Sequence, residues 1–165
     1  MRRVAKRAFA ALPLLAALLV FPATANASAS SSDRASGSGS FTATGEVISV
    51  KQVGGDTIVT ATEVQLLTGT LTGVRRAVGV EIIHADGTFE ATDSGTFTGS
   101  IAGRTGTLTI SGASSGVGNV ADGRLVGFRG TGGLEDLHLR GTFRTVLTGA
   151  TTADGTYSIQ YHFDS

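Results

Sequence analysis

The stretch GTFEATDSGTFTGSIAGRTGTLTISG, Gly87–Gly112, decides how the rest of the chain is read. It predicts two strands, Thr88–Ser100 and Thr105–Ser111, reversed at Ala102-Gly103-Arg104. Apolar residues fall at alternate positions, Phe89, Ala91 and Phe97 on the first strand and Leu108 and Ile110 on the second. A period of two marks a sheet with one face packed and the other in water.

Working outward, Ala85-Asp86-Gly87 leads into this hairpin as an Asp-Gly turn. Upstream, Phe41–Lys51, Thr57–Thr68 and Gly73–Ala85 predict three strands, the first two separated by the turn Val53-Gly54-Gly55-Asp56. Ile58, Val64 and Leu66 share one side of the second strand, opposite Glu63 and Gln65. Val74, Val78, Val80 and Ile82 share a face of the third, which predicts that this face is the packed one. Downstream, Gly112–Gly123 reads as a glycine- and serine-rich loop, followed by strands at Arg124–Arg129, Leu137–Thr148 and Thr156–Phe163. Tyr157, Ile159, Tyr161 and Phe163 fall on one side of the last strand.

The segment before these strands has a different character. Arg2, Arg3, Lys6 and Arg7 precede the apolar run Ala8–Phe21, and Pro22 leads to Ala25-Asn26-Ala27. These are the three parts of a secretory signal peptide, so residues 1–27 are expected to be removed on export. The run is shorter than the ~20 apolar residues of a spanning helix and is broken by Pro13, which argues against a membrane anchor. Residues 28–40, rich in Ser and Gly, are expected to form a flexible linker, leaving 41–165 as one domain.

Composition agrees with an exported β domain. The chain has 13 basic and 13 acidic residues, and four of the basic ones lie in the leader. The remaining mild acidity argues against nucleic acid, which asks for a basic stripe. There is no cysteine, hence no disulfide framework, but a domain of this length buries a sizeable core unaided. Glycine occurs 24 times in 165 residues, about twice its usual frequency of ~7%, which suits many turns.

No helical period is present after the leader. About eight strands with one apolar face each predict an all-β domain, a single antiparallel β-barrel, with a two-layer β-sandwich as the alternative. Closure favours the barrel because it removes exposed sheet edges. Phe89, Phe97, Phe143, Tyr157 and Phe163 are expected inside.

Three runs carry a family resemblance. They are Gly95–Ser111, the segment Gly130-Thr131-Gly132-Gly133-Leu134 with Leu139-Arg140-Gly141-Thr142-Phe143, and Gly155-Thr156-Tyr157-Ser158-Ile159-Gln160-Tyr161. Together they resemble a bacterial domain-of-unknown-function family whose members form eight-stranded barrels similar to plant allene oxide cyclase. The resemblance implies an architecture and no activity, and it transfers no catalytic residue.

Few residues suggest chemistry. His84, His138 and His162 are far apart in sequence and lack the local spacing of a zinc site, so no metal site is expected. By alternation His138 and His162 face solvent. Arg76 and Asp93 share parity with apolar neighbours, and a buried charge needs a partner. Arg76, His84, Asp93, Tyr157 and Tyr161 are therefore the candidate ligand-binding set at the barrel mouth; the alternative is that a bulge shifts the parity and sets one or both charges in water. Glu63, Glu81 and Glu90 read as outward, which removes a carboxylate pair for glycoside chemistry. No serine lies in a nucleophile elbow.

These readings favour a secreted, non-enzymatic barrel that holds a small apolar ligand or presents its surface to a partner. The alternative is a cyclase- or isomerase-like enzyme acting in the barrel interior. No cofactor is implied, no nucleic-acid partner, and no membrane association once the leader is gone.

Overall fold

Alternation gives each strand one apolar face, and the twisted sheet buries that face by curling until its edges meet. The computed structural model describes residues 34–164; the expected leader and Ser28–Asp33 of the expected linker lie outside the described residues. Eight strands follow in order: β1 (Ala35–Val53), β2 (Asp56–Gly69), β3 (Leu71–Ile83), β4 (Thr88–Ile101), β5 (Arg104–Val117), β6 (Val120–Gly132), β7 (Leu137–Leu147) and β8 (Thr152–Phe163). Each pairs antiparallel with the next, and β1 pairs with β8, so the barrel is closed. The described residues contain no helix. The barrel expectation therefore holds, and the sandwich alternative does not.

Short turns make this simple up-and-down order possible. Ala102 and Gly103 both adopt positive φ (50° and 80°) between β4 and β5, the geometry of a two-residue turn whose twist matches that of the strands. At the β3–β4 turn, the Asp86 carboxylate accepts from the Thr88 amide (2.9 Å) and hydroxyl (2.7 Å). A bulge at Ile48 interrupts the β1–β2 register, and another sets Arg129, at φ 55°, and Gly130 against β5. Such bulges add local bend and twist.

One end of the barrel is filled. Phe97, Ile101, Leu108, Leu134 and Leu71 are fully buried there, with Leu137, Leu139 and Ile159 around them. The Tyr157 hydroxyl accepts from the Leu71 amide (2.8 Å) and donates to the Thr68 carbonyl (2.9 Å). It thereby ties β8 to the β2–β3 connection, reaching over Gly39 of β1. Burial pushes its phenol above the usual tyrosine range.

Large inward rings lie over glycines of the adjacent strand. Phe41 faces Gly155, Tyr157 faces Gly39, Phe89 faces Gly116 and Phe143 faces Gly123, each pair directly in register. A Cβ at any of these glycines would strike the facing ring. Glycine inside a strand thus marks a close approach from its neighbour.

This packing corrects two sequence expectations. Gly112–Gly123 is not a loop: β5 continues to Val117 and β6 begins at Val120. Two of its glycines, Gly116 and Gly123, are the sites where Phe89 and Phe143 lie flat. The expected flexible linker also ends earlier, since β1 begins at Ala35 and not at Phe41. Ala35–Ser40 pairs with Thr156–Tyr161 of β8, so its backbone is satisfied without an apolar anchor of its own.

Candidate functional site

The filled end gives way to a hollow one. Towards the β1–β2, β3–β4 and β7–β8 turns, the inward positions carry small side chains, among them Ala61, Gly79, Ala91, Gly112, Ala121 and Ala153. They leave a cavity of about 260 Å³, walled by Phe41, Phe89, Phe143 and aliphatic side chains and reaching Thr145 and Thr151 near the rim. A concave, largely apolar space with a few convergent polar groups is the usual form of a small-molecule site.

The polar groups form a belt where the hollow part meets the filled part. Arg75 of β3 is buried, at 3% exposure. Its guanidinium donates to the Asp93 carboxylate, to the Gln65 side-chain oxygen (3.3 Å) and to the Ile110 carbonyl (3.0 Å). Gln65 in turn donates to Glu63 (3.0 Å). A guanidinium offers several donors in a fixed fork, and here it serves three elements at once.

Two more carboxyls face this space. Burial, reinforced by the nearby Asp93 charge, pushes Glu63 above its ordinary value of 4.5 despite the Gln65 hydrogen bond and the Arg75 charge. Burial also raises Glu81. A protonated carboxyl can donate a hydrogen bond, whereas an ionised one can only accept. Perturbed carboxyls in a cleft are a frequent signature of functional sites.

The sequence-derived set is only partly brought together. Asp93 and Tyr157 line the cavity, but the Tyr157 hydroxyl is consumed in the β2–β3 connection. Arg76 is corrected: it points outward and is exposed, and its neighbour Arg75 makes the inward pair with Asp93. The reason is the parity of β3, whose exterior carries Val78 and Val80, at 51% and 39% exposure. Its interior carries Arg75, Ala77, Gly79 and Glu81.

His84 lies at the rim, outside the cavity wall, with Nδ1 3.1 Å from the Asp56 carboxylate. Tyr161 belongs to the filled end, edge-on to Phe163 (centroids 6.4 Å apart). Glu63 and Glu81 are corrected too, because both line the cavity. Asp93 carried the signal that could have found them. Its register partner is Gly79, which fixes Arg75 and Glu81 as inward by alternation.

His138 and His162 lie on the outer face, as alternation predicts, but they are not far apart in space. His138 and His162, distant in sequence, are register partners on β7 and β8. Their rings stack with centroids 5.0 Å apart and planes 13° from parallel. Both reach Asp164: His138 Nε2 lies 2.9 Å from Oδ2, and His162 Nε2 lies 3.4 Å from Oδ1.

Comparison with known proteins reaches the fold alone. No family model and no curated protein sequence matches this chain. Among solved structures, a protein of unknown function from the DUF3224 family of Shewanella oneidensis MR-1 is similar, with a TM-score of 0.63 at 17% identity. The match covers 81% of this chain and 100% of that one. A bacterial family of unassigned function thus shares the architecture, as the sequence motifs suggested.

Two outcomes test the belt. Arg75→Ala should lower the unfolding free energy in urea by about 3 kcal/mol, because it leaves the Asp93 carboxylate without its cation; this is the low end for breaking a buried pair, since Asp93 keeps some solvent contact. Arg76→Ala should change it by no more than ~0.5 kcal/mol, as is usual for exposed positions. Glu63 supplies the pH dependence. A carboxyl raised on folding adds stability while protonated and loses it as pH rises from the ordinary value of 4.5 through the raised one. Glu63→Gln should therefore raise the urea midpoint at pH 7, and the gain should shrink towards zero as pH falls below 4.5.

Proposed function

We propose that this protein binds one small, largely apolar molecule in the open half of the barrel. The molecule would set a polar group against the Glu63, Gln65 and Asp93 belt. The observation that carries this reading is a buried charged network at the floor of an apolar hollow. A barrel needing only stability would fill that volume with aliphatic side chains, since a buried ion pair is seldom more stabilising than a well-packed hydrophobic replacement. The leader-like N-terminus supports a site of action outside the cytoplasm.

A second reading is a cyclase- or isomerase-like activity in the same space, the activity class of the plant barrels to which the resemblance of the sequence motifs points. What favours it is Glu63, a carboxyl that burial raises above its ordinary value and so makes a better proton donor than a solvent-exposed one. Shape would then do much of the work by holding a flexible substrate in a reactive conformation.

Binding is tested with N-phenyl-1-naphthylamine, a neutral apolar fluorophore, alongside native mass spectrometry of the protein from its source for a co-purified molecule. Fluorescence should rise saturably with one dye per barrel. Ala61→Trp, which places a ring in the cavity opposite Gly79, should remove the rise while leaving the β-sheet circular dichroism intact. Absence of dye uptake and of any co-purified molecule in the unsubstituted protein would refute the binding reading.

A further inference from the structure

Independently of the cavity, we infer that the outer face of β7–β8 holds one divalent transition-metal ion of the zinc type, bound by His138, His162 and Asp164. The donor atoms of these three residues lie within 4.8 Å of one another. A zinc ion sits about 2.0–2.1 Å from nitrogen or carboxylate ligands, which asks for donors roughly 3–4 Å apart. Asp164 Oδ2 lies 2.9 Å from His138 Nε2 and Oδ1 lies 3.4 Å from His162 Nε2, so small side-chain rotations bring one donor of each residue to that spacing.

Each part of the arrangement has a local cause. His138 and His162 are cross-strand neighbours, with inward Leu137 and Leu139 fixing the outward direction of β7 at His138. The strand ladder therefore holds the two rings side by side. Asp164 follows the end of β8, and its amide donates to the Asp136 carbonyl (3.1 Å), which turns the chain back beside β7. Its two carboxylate oxygens are divided between the two rings.

The chemistry selects the ion. Two imidazoles and a carboxylate suit zinc and its borderline neighbours better than calcium or magnesium, which prefer all-oxygen sets. Three protein ligands leave a fourth tetrahedral position open to water. The side chains of His138 and Asp164 are each 58% exposed, so the ion would have direct access from solvent.

Isothermal titration of the protein, prepared without a histidine tag, with Zn²⁺ provides the test. The unsubstituted protein should bind one equivalent, with shifts in the ring proton resonances of His138 and His162. His138→Ala and Asp164→Asn should each weaken binding at least tenfold. His84→Ala should leave it unchanged. The exposed positions let all three variants fold, which circular dichroism checks. No binding by the unsubstituted protein, or equal binding by the His138 and Asp164 variants, would overturn the inference.

Discussion

In an eight-stranded barrel an inward ring needs a bare backbone facing it. The interior of such a barrel is only wide enough for side chains to fill or for one small ligand. Phe41, Phe89, Phe143 and Tyr157 each gain their space from a glycine directly across the ladder. Removing the Cβ lets the ring lie along the wall instead of projecting to the axis. The abundance of glycine, which composition alone attributes to turns, is thus largely a property of the strands. Rings laid flat at the hollow end leave its axis open, while Phe97, Ile101, Leu108 and Leu134 close the other end.

Between the two halves, the Arg75 network makes chemical use of the boundary. Arg75 donates to a side chain of β2, a side chain of β4 and a main-chain carbonyl of β5. It therefore joins four consecutive strands at one level of the barrel. That much buried charge is poor material for stability alone, and low local polarity makes each unsatisfied group costly. Its position at the floor of an apolar hollow gives it a second use, as the polar anchor for whatever occupies that space. Tyr157 shows the contrast: it lies beside the same hollow, but its hydroxyl is bound to the Leu71 amide and the Thr68 carbonyl and serves the fold.

What the sequence disclosed, and what it hid, follows from the same packing. The hairpin around Ala102-Gly103 was legible because turn chemistry and alternation agree there. The inward aromatic residues were legible because a large ring has few other places to go. β3 was misread because alternation reports which residues share a face and not which face is inside. Valines 74, 78 and 80 suggest a packed face, yet Val78 and Val80 are exposed, and the charged residue of the opposite parity, Arg75, is buried. Gly112–Gly123 was misread because its small residues serve neighbours, Phe89 and Phe143, that are far away in sequence. The His138–His162 pair was invisible for a related reason: only the β7–β8 register makes them adjacent.

The dependence of the barrel on ring-over-glycine pairs is tested most directly by a double-mutant cycle between Phe41 and Gly155. Unfolding free energies in urea would be measured for Phe41→Ala, Gly155→Ala and the pair. A methyl group at Gly155 meets the Phe41 ring first and the Arg144 carbonyl next, so it should be better tolerated, though not free of strain, once the ring is gone. Non-additivity of at least ~1 kcal/mol is expected, well beyond the 0.3–0.5 typical of independent sites. Additive effects within that margin would contradict the pairing as the constraint that shapes this interior.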